Sequence, residues 1–421
     1  MSPRRAPSVK ETEQRPLGVT LDLLPLLGAP TGIGVFTRGL LEALSARGDV
    51  AVGGYAAGLG ARGISSLVAQ GTALRTWRVP ARVLNALWRR LPVPSAELVA
   101  GSTMVVHGTN FVVPPCRRAA AVATVPDLFC LHFPEQCAPS SRAYPDLVRR
   151  QLARGAFVHT MSDFVAAEVL EAFGAAPDRV RAIPIGIGPP TGAGAARSDG
   201  ATGAGPTDVG AGTASAATVT GQGPEPTRPF EWPYVLAVGT VEPRKDYPSL
   251  VAAFSQLPAS LHEVRLVIAG ADGWGAAQLR EAIAASPAAG RIVRLGYVAP
   301  LDNLRLLESA CVLAYPSIYE GFGLPPLEAM AAGVPVVTTD GGALGEIAGD
   351  GALLVPTRDP GALASALEAV LTDSSLRADL LARGRRRASG FGWDSCAEAM
   401  VGLYNDAFLA TSTGPGARRW G

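Results

Sequence analysis

Short apolar runs alternate with helical segments along nearly the whole chain, and the alternation starts afresh after a long tract of small residues. In the first half, the apolar runs begin at Leu17, Thr103, Ala119, Ala156 and Val180. In the second half they cover residues 234–239, 264–269, 292–295, 312–315, 334–338 and 353–355. Helices are predicted at residues 32–46, 163–173, 361–371, 375–387 and 395–408. Short buried strands that alternate with helices form parallel sheets. The pattern predicts an α/β fold with two doubly wound domains that face each other across a cleft.

The tract between the two series, residues 188–229, is rich in Gly, Ala, Thr and Pro and has almost no large apolar residue. Such a segment cannot bury enough surface to order itself, so it is predicted to be a flexible linker. The expected organisation is a loose N-terminus at 1–16, a first domain at 17–187, a second domain at 230–394 and a loose tail at 411–421.

Composition narrows the class of protein. A formal net charge of +1 over 421 residues gives no electrostatic footprint for nucleic acid. The basic runs Arg149-Arg150 and 383–387 are short and suit solvated helix faces, although contact with a membrane surface stays open. Five cysteines without Cys-x-x-Cys spacing indicate buried thiols in a reducing compartment. The polar start and the lack of a long apolar run predict a cytoplasmic protein, with peripheral contact at the inner face of the membrane left open.

The second domain contains a strand, a glycine-rich turn and a helix in immediate succession. The apolar run 311–315 precedes the turn, and Pro326 suits the first turn of a helix because it needs no amide donor. Glu320 and Glu328 flank this turn at the carboxyl end of a predicted parallel strand, where ligands bind in open sheets. Free amides suit phosphate oxygens and carboxylates suit hydroxyl groups, so the pair predicts a nucleotide-sugar site.

This Glu-x7-Glu segment resembles the signature of the retaining glycosyltransferases of family 4, which have the GT-B fold. The resemblance extends from about residue 17 to about residue 405. It includes segments 32–34, 107–110, 127–128, 238–245, 296–298 and 346–349. It implies that the last helix, predicted at 395–410, crosses back onto the first domain.

The resemblance also assigns donor-site roles. It implies that Glu320 lies near the donor sugar and that the amides of Phe322, Gly323 and Leu324 hold sugar hydroxyls or phosphate. Glu328 would accept hydrogen bonds from the ribose hydroxyls. The remaining residues expected around the ribose and base are Tyr297, Val298 and Gly239.

Arg244 and Lys245 follow a predicted strand, so they too are expected at the carboxyl edge of a sheet. Lys245 is one of only two lysines, which suggests a position where a compact ammonium is required. Two fixed cations can stabilise the charge of a departing nucleoside diphosphate without a metal. The glycine turn with Gly32 and Gly34 would let the backbone approach the donor phosphate, although a tight strand–helix turn also explains part of it.

His107 and Asp127 each end an apolar run and are expected at the same edge of the first domain's sheet. Catalytic and structural roles are equally plausible for both. The family commonly has His where this chain has Pro126, and that histidine borders the sugar near its C6 hydroxyl. The donor is then either a 6-deoxyhexose such as rhamnose, or its C6 hydroxyl is bound by another group. For Glu346 and Ser162, helix capping explains the residues as well as a site role does.

The predicted function is the retaining transfer of a hexosyl unit from an NDP-sugar, first of all mannose from GDP-mannose, to a hydroxyl acceptor. The acceptor is a glycan, a lipid-linked saccharide or a small metabolite. The expected enzyme needs no metal and no cofactor, because the nucleotide sugar is a co-substrate. Three alternatives stay open: an NDP-sugar epimerase of GT-B fold, a phosphorylase, and a non-catalytic subunit that binds nucleotide sugars.

Overall fold

The computed structural model describes residues 16–27, 31–58, 61–69, 72–139, 141–188 and 229–413. The predicted linker and the two predicted loose termini lie outside these ranges, apart from their edges.

The first domain is built on a parallel sheet of seven strands in the order β3-β2-β1-β4-β5-β6-β7. Each of its pairings is parallel. Its strands are β1 (Leu17–Asp22), β2 (Val50–Ala57), β3 (Ala73–Trp77), β4 (Val105–Gly108), β5 (Ala120–Val125), β6 (Phe157–Thr160) and β7 (Val180–Ala182).

The second domain has a parallel sheet of six strands in the order β10-β9-β8-β11-β12-β13. Its central strands are buried along their whole length, because helices cover both faces of the sheet. The strands are β8 (Tyr234–Val238), β9 (Arg265–Ala269), β10 (Ile292–Gly296), β11 (Val312–Tyr315), β12 (Val336–Thr339) and β13 (Leu353–Val355). The prediction of two doubly wound parallel-sheet domains is confirmed.

Helices connect successive strands in both domains. In the first domain they are α1 (Gly32–Ser45), α2 (Ala81–Trp88), α3 (Ala96–Val99), α4 (Phe129–His132), α5 (Tyr144–Ala153) and α6 (Asp163–Phe173). Those that follow are α7 (Tyr247–Ser255), α8 (Ala276–Ala285), α9 (Pro300–Glu308), α10 (Leu324–Ala331), α11 (Leu344–Ala348), α12 (Pro360–Thr372), α13 (Ser374–Ala388) and α14 (Trp393–Thr413).

Local sequence explains why α6 begins and ends where it does. The Ser162 hydroxyl caps its start by accepting from the amide of Val165, at 3.3 Å. Gly174 ends it with φ +60°, a left-handed conformation that suits glycine.

The last helix, α14, packs on the first domain instead of its own. The ring of Trp393 lies between two glycines, and a Cβ added at Gly39 or Gly186 would come within 2.2 Å or 2.5 Å of it. The indole nitrogen also donates to the carbonyl of Gly188 at 2.8 Å. Only glycine leaves room for this ring, so α14 is held against α1 by shape as well as by its apolar face.

A buried polar chain lies between α14 and the sheet. The Tyr404 hydroxyl contacts His107 Nδ1 at 2.8 Å, and His107 Nε2 contacts the Thr124 hydroxyl at 2.7 Å. Thr124 contacts His159 Nδ1 at 2.9 Å, and His159 Nε2 contacts the Ile183 carbonyl at 2.9 Å. A carbonyl can only accept, so His159 Nε2 carries the proton and Nδ1 accepts. Thr124 therefore donates to His159, His107 donates to Thr124, and Tyr404 donates to His107. Burial lowers the pKa of both histidines, that of His159 to about 4, so both rings are neutral.

The expectation that His107 lies in the cleft is therefore wrong. Its side chain is fully buried under α14 and both ring nitrogens are engaged. The last residues of a strand alternate between the two faces of the sheet, and His107 is on the face that α14 covers.

The expectation of five free thiols is also corrected. Cys130 and Cys137 form a disulfide with their Cα atoms 5.7 Å apart, whereas Cys116, Cys311 and Cys396 are free. Within the part of the chain that the structure describes, no helix is long and apolar enough to cross a membrane.

Candidate active site

The carboxyl ends of the two sheets meet across the cleft. Pro126 and Asp127 follow β5, and Glu320 and Gly321 follow β11. A Cβ added at Gly321 would lie 1.8 Å from the Pro126 carbonyl oxygen and 2.9 Å from Asp127 Cβ. Glycine is therefore required at position 321, because the two domains approach each other closely at the donor-site turn.

Glu320 is the centre of a buried ionic cluster. Its carboxylate accepts from Lys245 Nζ at 2.6 Å and from Arg244 Nη1 at 2.5 Å, one oxygen to each cation. The Tyr315 hydroxyl donates to the oxygen that Lys245 also contacts, at 3.1 Å, and itself accepts from Lys245. Arg244 makes a second ion pair with Glu242 at 2.8 Å. The sequence placed both cations at the carboxyl edge but did not pair them with Glu320.

Electrostatics keep this cluster charged. Burial alone would raise the pKa of Glu320, but Arg244 and Lys245 outweigh it and bring that pKa to about 2. Burial lowers the pKa of Lys245 to about 8 although Glu320 opposes the change. Glu320 and Glu242 hold the pKa of Arg244 well above its usual value. Both groups are therefore charged at neutral pH, and Glu320 orients both.

The turn after Glu320 presents unsatisfied backbone amides. Gly323 precedes α10 with φ +110° and has no side chain with which to cap the helix. Pro325 and Pro326 in the first turn of α10 have no N–H, so the donors that this turn offers to an anion or a sugar hydroxyl are the amides of Phe322, Gly323 and Leu324. The Phe322 side chain is buried, with its ring 5.9 Å from that of Phe391. The side chain is therefore closed to a ligand, and a contact by Phe322 would come from its backbone.

Glu328 is the fifth residue of α10 and lies beyond its first turn. The helix dipole acts mainly within the first turn, so it does not explain this carboxyl group. Burial raises the pKa of Glu328 to about 7, and no cation opposes the shift. A partly buried carboxyl without a cationic partner is suited to accept hydrogen bonds from hydroxyl groups.

The other residues expected around the ribose and base fall in two places. Gly239, with φ +134°, lies against Lys245, whose Cε would be 3.2 Å from an added Cβ. It therefore belongs to the ionic cluster. Tyr297 and Val298 follow β10, which is two strands away from β8 at the edge of the sheet. Tyr297 is 58% exposed and Val298 half-buried, so the tyrosine ring is accessible to a base.

The glycine turn of the first domain fits the prediction only in part. Thr31 caps α1 and its hydroxyl accepts from the amide of Gly34 at 3.2 Å. A Cβ at Gly34 would lie 2.9 Å from the Pro25 carbonyl oxygen, so this glycine is required for packing. The amide of Gly34 is engaged and not open to a phosphate, whereas Gly32 is exposed at the first position of the helix.

Two carboxyl groups of the first domain end strands at the cleft. Asp127 accepts from the amide of Phe129 at 3.1 Å, and burial raises its pKa although Arg244 across the cleft lowers it. Asp22, which ends β1 and accepts from the amide of Leu24 at 2.9 Å, was missed. Burial raises the pKa of Asp22 to about 7. Its signal in the sequence was the same as that of Asp127, an acidic residue directly after an apolar run.

Polar contacts between the domains were missed as well. The Tyr319 hydroxyl accepts from the amide of Leu128 at 3.0 Å and donates to Glu168, which also contacts His132 at 2.6 Å. Ser162, the cap of α6, donates to the Gly321 carbonyl at 2.8 Å.

Glu346 makes a further contact between the domains. Its two carboxylate oxygens accept from the amides of Asp163 and Phe164, at 2.9 Å and 2.8 Å. Ser162 and Glu346 thus both cap α6, and each also connects the two domains.

Comparison with known proteins identifies the family. The profile of Glycosyl transferases group 1 matches residues 225–387. The O-antigen chain mannosyltransferase B of Escherichia coli is 30% identical over 302 residues, which cover 71% of this chain and 74% of that protein. The chain belongs to the group 1 glycosyltransferases.

Further relatives agree with this assignment. A phosphatidyl-myo-inositol mannosyltransferase of Mycolicibacterium smegmatis is 34% identical, over 42% of this chain and 46% of its own length. Sucrose-phosphate synthase of Thermosynechococcus elongatus has the same fold, with a TM-score of 0.67 at 21% identity over 94% of this chain and 100% of that one. The resemblance to GT-B glycosyltransferases of the mannosyltransferase branch is thereby confirmed. The family profile and these relatives support the transfer of a hexosyl unit, and they do not favour the epimerase alternative.

Proposed function

We propose that this glycosyltransferase moves a mannosyl unit from GDP-mannose to a hydroxyl acceptor, with retention of the anomeric configuration and without a metal. The observation that carries the proposal is the pair of cations, Arg244 and Lys245, fixed on Glu320 beside the open start of α10. The relatives named above support mannose, since two of them are named as mannosyltransferases.

The cluster would act on the leaving group. As the bond between C1 and the phosphate oxygen breaks, negative charge grows on the diphosphate, and Arg244, Lys245 and the α10 amides stabilise it. Donors fixed before the reaction stabilise such charge without reorganising during the step. Glu320 orients both cations and, in the bound state, also faces the sugar. An incoming diphosphate shares these cations with Glu320 and Glu242.

The acceptor would attack from the same face that the phosphate leaves. The acceptor oxygen bonds to C1, and its proton passes to the departing phosphate oxygen, so no protein nucleophile is required. Asp127, across the cleft from Arg244, would hold the acceptor or the sugar. We assign Asp22 to the acceptor side because it ends β1, the neighbour of the central strand β4, at the carboxyl edge of the first domain's sheet.

Nucleoside recognition would fall to the second domain. Glu328 accepts from the ribose hydroxyls once it is ionised, and Tyr297 with Val298 borders the base. Together these contacts would position the diphosphate over the ionic cluster.

Pro126 bears on the identity of the sugar. It offers neither an imidazole nor a backbone donor, and it lies against the turn that carries Glu320 and Gly321. If no other group binds the C6 hydroxyl in place of the missing histidine, the sugar transferred is a 6-deoxyhexose such as rhamnose. Measuring kcat/KM for GDP-mannose and for its 6-deoxy counterpart decides between the two sugars. A strong preference for GDP-mannose would show that the 6-deoxyhexose is not the natural substrate.

The acceptor we favour is a lipid-linked saccharide, and the location is the cytoplasm at the inner face of the membrane. The relatives' names point to O-antigen chains and phosphatidylinositol. A glycan or a small metabolite remains an alternative acceptor class.

The test incubates the full chain with GDP-mannose, EDTA and a panel of mannoside, lipid-linked and polyol acceptors. The proposal expects a product whose anomeric carbon–proton coupling in NMR matches that of the donor. An inverted product, or activity that requires added Mg²⁺ or Mn²⁺, would contradict the mechanism. Release of free nucleotide with an epimerised sugar and no acceptor would indicate an epimerase. Nucleotide-sugar binding without turnover on any acceptor would indicate a binding subunit.

A further inference from the structure

Helix α2 of the first domain exposes an apolar face. Leu84 and Trp88, four residues apart, are buried against the domain core. Val83 and Leu87, also four residues apart, are exposed on the adjoining side, about 100° around the helix. The apolar surface of α2 is therefore wider than the part that the described residues of its own domain cover.

The segment that follows enlarges this face. The Trp88 indole donates to the Pro94 carbonyl at 3.0 Å, which folds the turn back against the helix. Leu91 and Val93 in this turn are 49% and 40% exposed, and Leu98 on α3 is 57% exposed. We call Val83, Leu87, Leu91, Val93 and Leu98 the α2 face.

Arginines border the α2 face on two elements. Arg78, Arg89 and Arg90 flank α2, and all three are exposed. Arg154 donates to the Trp88 carbonyl at 3.3 Å, which places α5 beside the end of α2. Helix α5 contributes two more exposed arginines, Arg149 and Arg150.

Carboxylates are few on this surface. Asp146 pairs with Arg89 at 3.7 Å and with Arg149 at 3.0 Å. Glu97 accepts from the backbone amides of Arg117 and Arg118, at 2.9 Å and 2.7 Å, and so is held by the loop before β5. The surface is therefore positive, although the whole chain carries a formal net charge of only +1.

Aliphatic side chains surrounded by arginines suit the boundary between lipid headgroups and acyl chains. The aliphatic groups enter the acyl region, while each guanidinium binds a phosphate at the surface. We propose that the α2 face, with the arginines of α2 and α5, docks on an anionic lipid bilayer. This rests on the peripheral location proposed above and names the surface responsible for it. Docking there holds the first domain, on which the acceptor side of the cleft lies, at the membrane.

The experiment floats the full chain with vesicles of phosphatidylcholine alone or of equal parts phosphatidylcholine and phosphatidylglycerol, at low and high salt. Wild type should float with the anionic vesicles and lose most of this binding in 1 M salt. The variant Arg90→Gln/Arg150→Gln should bind roughly thirtyfold more weakly, since each arginine at an anionic surface strengthens binding about fivefold. The variant Val83→Ser/Leu87→Ser/Leu91→Ser should lose binding at every salt concentration.

The control, Leu354→Ser/Leu409→Ser, removes two exposed leucines elsewhere and should bind like wild type. Thermal unfolding and transfer to a soluble acceptor should be unchanged in all variants, because the altered side chains lie on the surface and outside the donor site. A lower unfolding temperature in the serine variant would leave the arginine variant as the deciding comparison.

The outcomes separate the two proposals. If wild type floats but the α2-face and arginine variants float equally well, the surface is wrong and the peripheral location stands. If wild type ignores both vesicle types while transferring sugar to a soluble acceptor, location and surface are both wrong but the transferase proposal stands. Concentration-dependent dimers that the serine variant abolishes, without vesicle binding, would show that a second copy covers this face.

Discussion

Replacing Tyr404 with phenylalanine removes one hydroxyl group from the buried chain that joins α14 to the first domain. The lost bond is the one that the tyrosine donates to His107 Nδ1 at 2.8 Å. Reversing the other bonds cannot repair the loss, because the Ile183 carbonyl at the far end only accepts. A reversal would only move the unpaired atom to another position along the chain.

The magnitude follows from leaving one buried acceptor unsatisfied. Such a group costs about 1–3 kcal/mol of unfolding free energy. For a domain of this size each kcal/mol lowers the unfolding temperature by about 2–4 °C, so Tyr404→Phe should lower it by roughly 2–12 °C. Differential scanning calorimetry and urea unfolding followed by circular dichroism would measure the change.

Tyr144→Phe is the matched control. Tyr144 is half-buried and stacks on Phe111, and the residues described here provide no hydrogen-bond partner for its hydroxyl. Its loss should change stability by less than about 0.5 kcal/mol. Equal unfolding temperatures for Tyr404→Phe and wild type would refute the proposed bond direction and the structural role of His107.

The same chain sets a pH dependence. The pKa of His159 is about 4 in the folded protein, against 6.5 for an unperturbed histidine. Between these values the unfolded chain binds a proton that the folded chain does not, so stability falls as pH falls through this window. The slope is at most about 1.4 kcal/mol per pH unit for each such histidine. Asp22 and Glu328, whose pKa values burial raises to about 7, contribute the opposite slope over the same window, so the histidine contribution is measured in the variant Asp22→Asn/Glu328→Gln. Constant stability of that variant from pH 7 to 4.5 would contradict the burial of neutral histidines.

Four further predictions concern the site and the domain arrangement. Lys245→Ala should lower kcat by about two to three orders of magnitude, the effect of removing one fixed charge from a developing anion, and steady-state rates near wild type would contradict the phosphate assignment. GDP affinity measured by calorimetry should rise from pH 6 to 8, because Glu328, with a pKa of about 7, ionises over this range and a carboxylate accepts from the ribose hydroxyls more strongly than a neutral carboxyl group. Glu328→Gln should flatten that profile, and a flat wild-type profile would argue against the ribose contact. Glu346→Ala removes two charge-assisted hydrogen bonds between the domains, so it should reduce kcat/KM by roughly tenfold. The radius of gyration in solution scattering should also increase. An unchanged radius would disprove a role of Glu346 in domain closure. Excision of residues 191–227 should leave activity largely intact, because loop-closure entropy changes slowly with length, and an inactive but folded protein would show that the tract binds something.

Strands buried on both faces were predictable from the sequence, and exposed ones were not. Strands β8 and β11 are apolar and almost wholly buried, and they lie within the predicted runs 234–239 and 312–315. Strand β3 lies at the edge of its sheet and is exposed along much of its length, so it has no apolar run. Strand β2 contains Gly53 and Gly54, which interrupt its apolar pattern. Both were missed for these reasons.

The sequence predicted those site residues that follow from one rule: ligands bind at the carboxyl ends of the strands in a parallel sheet. That rule placed Glu320, Arg244 and Lys245 at the carboxyl edge of the second domain's sheet. It could not separate Asp127, which faces the cleft, from His107, which faces α14. The difference depends on a helix that covers one face of the sheet and begins almost three hundred residues after His107 in the chain. The partners of Glu346 are likewise distant in sequence, so no local pattern could reveal them.

The tryptophan of α14 has a consequence for how the protein is made. Trp393 fills the space between Gly39 and Gly186, so part of the first domain's interior comes from residues that the ribosome adds after the second domain's sheet. The nascent first domain therefore emerges with an unfilled slot along α1, and it keeps that slot until the whole second domain has been synthesised. The slow, non-local closure of such contacts makes completion of the first domain a late event in folding. A chain truncated before residue 393 would leave Gly39 and His107 without their cover, and a chaperone that binds apolar surface would find its site on the half that was synthesised first.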